Sequence, residues 1–127
     1  MERLAQLNIT CTPGAALIVR RTTSAICAVL GMPVPELENV VLAVSELASI
    51  YLPNSGQLKV TYFGEAGQSL IIHITGSQPI SPASLLPYLI ASNLLECTLT
   101  SGRGFRLRQS LPLLSRAAVP GVENPAR

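Results

Sequence analysis

The sequence contains no aspartate and no tryptophan, and it has a single lysine and a single histidine. All 7 of its acidic residues are therefore glutamates, so any reaction that needs a carboxylate must use a glutamate here. Charged residues make up only 13% of the 127 residues, whereas 48% are hydrophobic. So apolar a composition predicts that part of the surface is covered, either by a second copy of the chain or by a partner protein.

Other absences exclude further classes of protein. The net charge of +2 is small, and the arginines are scattered apart from Arg103, Arg106 and Arg108, which does not favour nucleic acid as a partner. No apolar run reaches the roughly 18 residues of a membrane helix, and the first residues lack a signal-peptide pattern. The 3 cysteines have no metal-ligand spacing. We therefore expect a cytoplasmic protein with reduced cysteines, no metal site and no membrane contact.

The first half of the chain predicts one strand and two helices within a single domain. Residues 4–11 alternate loosely and predict an edge strand. A helix is expected from Gly14 to Leu30, after a first-turn proline and before Gly31. Its apolar spacing predicts an inward face of Ala15, Val19, Thr22, Ile26 and Val29, with Arg20, Ser24 and Cys27 outward. A second helix is expected over residues 38–52, with a buried stripe of Leu37, Val41, Val44, Ala48 and Tyr51.

The second half changes to a period of two. Residues 57–63 and 69–75 alternate in polarity and predict a β-hairpin with a loop of about four residues. The apolar stretch 84–95 contains Pro87, which excludes one long uninterrupted helix. Residues 98–104 predict a glycine-bearing loop, and a helix is expected from Phe105 until Pro112 bends or ends it. Residues 116–119 predict a last short strand.

Three segments in this order resemble the Bergerat-fold ATPases of the GHKL superfamily, and among these the small anti-sigma-factor serine kinases. They are PGAALIVRR at 13–21, LAVSEL at 42–47 and SGRGF at 101–105. The resemblance implies an α+β fold, a two-layer sandwich whose mixed, mostly antiparallel sheet has helices on one face. The resemblance covers roughly residues 5–120, and we expect one domain over residues 1–120 followed by a flexible tail at 121–127.

The resemblance also implies where a nucleotide would bind, and that the site is degenerate. Glu46 corresponds to the glutamate that activates or orients the attacking group. The asparagine that holds Mg²⁺ is replaced by Ile50, and the aspartate that accepts the adenine amino group is replaced by Gly76. The remaining glycine box corresponds to Gly102, Arg103 and Gly104. Its glycines either cradle a phosphate at a helix N-terminus or form a turn that packing requires.

These replacements remove the groups on which the family's nucleotide binding depends. Isoleucine cannot ligate a hard cation, which requires oxygen donors. The lost bond to adenine is worth about 1.5–3 kcal/mol, or roughly ten- to a hundredfold in affinity. We therefore expect ATP and Mg²⁺ binding to be weak or absent. Glu46 then has either a residual catalytic role or a structural one.

Three functions remain open at this stage. The first is an anti-sigma-like regulator that acts by partner switching, with a sigma factor or a STAS-type antagonist as partner, Arg20 as the contact, and a homodimer formed through the first strand and first helix. The second is an active protein serine kinase with an altered nucleotide site. The third is a structural subunit with a closed pocket. His73 is either a phosphoacceptor or an ordinary strand histidine.

Overall fold

The computed structural model describes residues 1–53, 56–80, 85–100 and 103–111, and these form an α+β fold. The elements, in chain order, are β1 (Glu2–Thr10), α1 (Ala15–Val29), α2 (Val34–Ala48), β2 (Gln57–Glu65), β3 (Ser69–Gly76), α3 (Leu85–Leu94), β4 (Glu96–Thr100) and β5 (Gly104–Ser110). The α+β class predicted from the sequence is confirmed. No helix in the described part of the chain is long and apolar enough to cross a membrane.

The strands form one five-stranded sheet in the order β1-β2-β3-β5-β4. All four pairings between the described strands are antiparallel, so no parallel pair of a mixed sheet is present among them. The predicted hairpin is confirmed, with Val60 opposite Ile74 and Tyr62 opposite Ile72. Its turn has Ala66 at φ 50° and Gly67 at φ 69°, the left-handed conformation that a tight turn needs and that glycine adopts without strain.

The core lies between the three helices and one face of the sheet. Because side chains alternate along a strand, every second residue of the central strands points into it. These residues pack with apolar side chains of the helices, and the cluster includes Leu58, Val60, Tyr62, Leu70, Ile72, Ile74, Phe105, Leu107, Val19, Val40, Val44, Leu47 and Ala91.

One hydrogen-bonded polar pair is buried in this core. The Thr23 hydroxyl donates to the carbonyl of Val19 at 2.8 Å, and its oxygen lies 2.8 Å from the hydroxyl of Tyr62. Since threonine has a single hydroxyl proton, Tyr62 is the donor in the second bond. The pair links α1 to β2 and leaves neither hydroxyl unsatisfied, which avoids the free-energy cost of a buried orphan group.

The buried face of α1 differs from the predicted one. Ala15 and Val19 are buried as predicted, but Cys27 is fully buried and Val29 is 76% exposed. The observed face follows a spacing of four residues, from Ala15 through Thr23 to Cys27. Val29 lies two residues beyond Cys27, about 200° further around the helix, and therefore faces solvent.

Helix α2 begins earlier, ends earlier and is rotated relative to the prediction. It starts at Val34, with a proline in its first turn, and ends at Ala48 rather than Leu52. Its buried residues are Val40, Ala43, Val44, Leu47 and Ala48. Leu37 and Val41, predicted to be buried, are half-buried at the border of this face.

The chain after α3 forms a hairpin where a loop and a helix were predicted. Strand β4 includes residues 98–100 of the predicted loop, and β5 begins at Gly104 and continues through residues 105–110 of the predicted helix. In β5, Phe105 and Leu107 are buried while Arg106 and Arg108 point to the other face of the sheet, so a period of two wins over a helical one. The predictions for residues 116–119, for the domain boundary at residue 120 and for the tail lie outside the described residues.

Candidate functional site

The candidate site lies where the end of α2, the end of β3 and the start of β5 meet. After Ala48 the chain continues in turns, with the amide of Tyr51 donating to the carbonyl of Ala48 at 3.0 Å. These turns carry the Tyr51 side chain towards the sheet. Its hydroxyl donates to the carbonyl of Arg103 at 2.6 Å, and the amide of Gly76 donates to the same carbonyl at 3.4 Å. A single carbonyl oxygen thus joins three separate segments of the chain.

The predicted adenine position is packed against the ring of Tyr51. A Cβ atom at Gly76 would lie 2.2 Å from Cδ1 and 2.7 Å from Cε1 of Tyr51, far inside van der Waals contact. Gly104 is equally confined, since a Cβ there would lie 2.7 Å from the carbonyl oxygen of Ile74. Both glycines therefore allow close packing at this site.

Three aromatic rings fill the space beside these glycines. The rings of Tyr51 and Phe105 meet edge to face with centroids 6.5 Å apart, and Tyr88 of α3 stacks on Phe105 at 5.7 Å. The chain has only 3 tyrosines and 2 phenylalanines, so most of its aromatic residues are concentrated here. Burial raises the pKa of the Tyr51 phenol, which keeps the hydroxyl protonated and able to donate.

Glu46 lies in the last turn of α2, and Ile50 lies two residues beyond the end of that helix. Both are close to Tyr51 in the sequence, but their side chains have different surroundings. Glu46 is half-buried, and its carboxylate forms no hydrogen bond or ion pair with any described residue. Ile50 is half-buried and packs against the hydrophobic core. Over the described ranges, no group of three or more histidine, cysteine or glutamate side chains is arranged to hold a metal ion.

The glycine box does not precede a helix. Gly102 lies outside the described residues, and Gly104 is the first residue of strand β5. The predicted phosphate cradle at a helix N-terminus is therefore wrong, because the amide groups and dipole of a helix are not available there. The side chain of Arg103 is exposed, and its carbonyl, rather than its guanidinium, contributes to the site.

Arg20 and His73 lie away from the aromatic cluster. Arg20 is exposed on α1 and lines a surface groove between α1 and α2. His73 lies on the face of the sheet opposite the core, its ring 5.0 Å from that of Phe63. Burial, followed by the charge of Arg106, lowers the pKa of His73. The structure brings Gly76, Arg103 and Gly104 together, but it does not add Arg20 or His73 to them.

The sequence reasoning missed the aromatic residues that close the site. Tyr51 was expected only as part of a buried stripe, and Tyr88 and Phe105 were given no role. A signal was present, because aromatic residues are rare in this chain and two of these three, Tyr51 and Phe105, lie at the ends of predicted helices. Comparison of the sequence with models of protein families and with curated proteins finds no match.

Proposed function

We propose that the chain is an anti-sigma-like regulatory protein that acts by binding other proteins, with a Bergerat-type fold whose nucleotide site is lost or much weakened. The observation that carries the proposal is the contact between Tyr51 and Gly76, where a side chain at residue 76 would collide with the tyrosine ring at 2.2 Å. A pocket filled by the protein's own side chains cannot also hold an adenine ring.

The order of helices and strands supports the Bergerat-type fold of this proposal. A helix carrying Glu46 is followed by a β-hairpin, and the helices and one face of the sheet share a core in two layers. That arrangement is compatible with the two-layer sandwich of the Bergerat ATPases, although the segment after the glycine turn departs from it.

The chemistry around Glu46 also favours binding over catalysis. A carboxylate that activates a nucleophile for phosphoryl transfer works beside a metal ion and a positioned phosphate. Ile50, one turn from Glu46, supplies no oxygen donor and packs on the core instead. We therefore assign Glu46 no catalytic step.

Arg20 is the proposed contact with a partner protein. Its side chain is exposed, and it forms no ion pair with any described residue. An exposed arginine beside apolar side chains is typical of protein interfaces, which are enriched in arginine. The partner is proposed to be a sigma factor or a STAS-type antagonist in the cytoplasm, with an acidic residue facing Arg20.

Titration calorimetry tests the proposal with purified sigma factors and STAS-domain proteins from the same cell. The expected result is binding by the native chain, loss of binding in Arg20→Glu and retention in Arg21→Glu, since Arg21 is an equally exposed neighbour that does not line the groove. A second titration uses Mg·ATP. Micromolar binding of Mg·ATP together with phosphate transfer to a protein serine would overturn the proposal in favour of an active kinase.

A further inference from the structure

Strand β4 lies at one edge of the sheet, and its second side is unpaired within the described part of the chain. Such an edge presents free backbone N–H and C=O groups, which proteins usually protect with charges, prolines or bulges. The other edge is protected in this way, because β1 carries Glu2 and Arg3 and its register shifts between Arg3 and Ala5. Strand β4 has neither a proline nor a shift of register, and Glu96 is its one charged residue. The edge of β4 is therefore open to a further strand.

Exposed leucines border this edge on the core side of the sheet. Leu99 is 55% exposed, although Phe105, opposite it on the same face, is buried. Leu85 and Leu89 of α3 are also exposed, and they share one flank of the helix with Ser92.

A contact of Ser92 shows that this flank of α3 faces β4. Burial raises the pKa of the Cys97 thiol in β4 to about 11, and a hydrogen bond with Ser92 opposes that rise. Helix α2 packs against α3 from the other side. We call the free backbone of β4, together with Leu85, Leu89 and Leu99, the edge surface.

The chain that follows β5 is long enough to reach this surface. Arg108 of β5 lies opposite Glu96, and β5 ends two residues later at Ser110. From Leu111, the free side of β4 beside Glu96 is roughly 14 Å away, two strand spacings across the sheet and three residues back along it. Five residue steps of extended chain span about 17 Å. Pro112 lacks an N–H and so cannot donate a further bond to the ladder of β5.

The charge of the fifth residue after Leu111 matches the edge. Glu96 is exposed and forms no ion pair with any described residue, since Arg108 opposite it pairs with Glu65 at 2.8 Å. Arg116, placed beside Glu96 on the outer face of the sheet, would supply the missing positive charge.

The apolar residues that follow match the leucines. Because side chains alternate along a strand, Ala117 and Val119 would lie on the core side when Arg116 lies on the outer face. In a strand parallel to β4, Val119 would then lie beside Leu99, where its burial is favourable. Pro120 cannot donate the next ladder bond, so such a strand would end at residue 119.

We propose that residues 116–119 add to the free edge of β4 as a further strand of the sheet, parallel to β4, and cover the edge surface. A segment of another protein with similar side chains would have to compete with them. Residues 116–119 are tethered within reach of the edge, which gives them a high effective concentration. The inference rests on the fold and on the sequence that follows β5, and not on the proposed function.

Disulfide formation in the full chain tests the register with two adjacent alanines. In the proposed strand Ala117 lies beside Cys97 at about 4.8 Å between Cα atoms, which a disulfide can bridge, whereas Ala118 points to the outer face. Ala117→Cys should therefore form a disulfide with Cys97 under mild oxidation, and Ala118→Cys, the matched control, should not. Peptide mapping by mass spectrometry identifies the linked cysteines. Equal yields in the two variants would overturn the proposal, and a disulfide between two chains would assign the edge to a second copy instead.

Amide hydrogen exchange of the native chain gives an independent measurement. Pairing slows exchange, so amides within 117–119 should exchange roughly tenfold or more slowly than those of 122–124. Val119→Asp places a charge beside Leu99 and should remove most of this protection. Val122→Asp makes the same change beyond Pro120 and should retain it. The proposal fails if 117–119 exchange as fast as 122–124, or if the two valine variants behave alike.

Discussion

The ring of Tyr51 occupies the space that any side chain at Gly76 would need, since a Cβ at Gly76 would lie 2.2 Å from Cδ1 of the tyrosine. The two residues also donate hydrogen bonds to the same oxygen, the carbonyl of Arg103. The end of α2 and the end of β3 are thus fitted to each other through a tyrosine and a glycine. This contact links the stability of the fold to the closure of the candidate site.

A double-mutant cycle measures how strongly the two residues are coupled. Gly76→Ala forces the ring aside, at a cost typical of overpacking, about 1–3 kcal/mol. Tyr51→Ala leaves a cavity and should cost about 3–5 kcal/mol. In the double variant the new methyl group enters that cavity, so the combined loss of unfolding free energy should be smaller than the sum by about 1 kcal/mol or more.

Urea unfolding of the four proteins gives the coupling free energy. Gly14→Ala is the matched control, because nothing lies within 4 Å of a Cβ built at Gly14. Its effect should be small and independent of Tyr51. Strictly additive losses for Gly76→Ala and Tyr51→Ala would contradict the close contact.

The hydroxyl of Tyr51 has its own predicted contribution. Tyr51→Phe keeps the ring and removes the bond to the Arg103 carbonyl, so the free energy of unfolding should fall by about 0.5–1.5 kcal/mol. Tyr88→Phe is the comparison, since the Tyr88 hydroxyl has no hydrogen bond to any described residue and its removal should change stability little. Equal effects in the two variants, measured by thermal or urea unfolding, would show that the bond contributes nothing specific.

The parts of the fold with a strong local period were predictable from the sequence. The hairpin of β2 and β3 followed from strict alternation, because register and burial in a sheet depend on a period of two. The same alternation was present over 105–108, where Phe105 and Leu107 alternate with Arg106 and Arg108. The helix that was predicted from Phe105 onwards is therefore wrong, and the structure follows the alternation.

The candidate site was predictable only in part. The sequence indicated three residues that do lie together, namely Gly76, Arg103 and Gly104. They are brought together by contacts between residues that are far apart in the sequence. Tyr51 and Phe105 are far apart in sequence, and no local pattern indicates that their rings meet. The exposed face of α1 shows a similar limit: Cys27 and Val29 exchanged their expected environments because the sheet selects which stripe of an apolar helix is buried.

Alkaline pH should destabilise the protein through its buried thiol and phenol. Burial raises the pKa of Cys27 from 9.0 to about 12. Burial is also the main reason why the pKa of Tyr62 rises from 10.0 to about 12. The hydrogen bond with Thr23 lowers this pKa, and the charge of Cys27 raises it further. The folded state therefore holds both protons more tightly than the unfolded state. The contribution of these two groups to the free energy of unfolding is therefore complete below about pH 9 and decreases as the pH rises towards 12.

Urea unfolding at a series of pH values from 8 to 11 checks this expectation. Stability should begin to fall near pH 9, where Cys27 ionises in the unfolded chain, and fall more steeply above pH 10 when tyrosine follows. Cys27→Ala should reduce the slope between pH 9 and 10 while leaving the later fall. Cys11→Ala provides the comparison: burial also raises the pKa of the half-buried Cys11, but less, so its removal should change the slope less than Cys27→Ala does. A native chain whose stability does not change up to pH 11 would contradict the buried, protonated state of both groups.

The last prediction is that a nucleotide site can be rebuilt only when Tyr51 is removed. Ile50→Asn supplies an oxygen for Mg²⁺, and Gly76→Asp supplies an acceptor for an adenine amino group. The backbone of Gly76 does not have a positive φ, and the atoms nearest to a Cβ built there all belong to the Tyr51 ring, so the ring is the first obstacle to a side chain. The pair Ile50→Asn/Gly76→Asp should therefore be destabilised and gain no affinity, whereas the triple variant with Tyr51→Ala should bind ATP.

Thermal unfolding with and without ATP and Mg²⁺ measures the gain, provided that each variant shows a cooperative transition. ATP at ten times the dissociation constant stabilises the folded state by about 1.4 kcal/mol, so a rebuilt site should shift the melting temperature visibly. The variant Tyr51→Ala/Gly76→Asp, which keeps Ile50, separates the two halves of the site: its smaller stabilisation should not depend on Mg²⁺. Asparagine in place of the half-buried Ile50 should lower the free energy of unfolding by roughly 2–4 kcal/mol. The triple variant must therefore be shown to fold before its response to ATP is measured. If it folds and ATP does not stabilise it, Ile50 and Gly76 do not occupy the metal and adenine positions, and the closed site has an origin other than a lost nucleotide pocket.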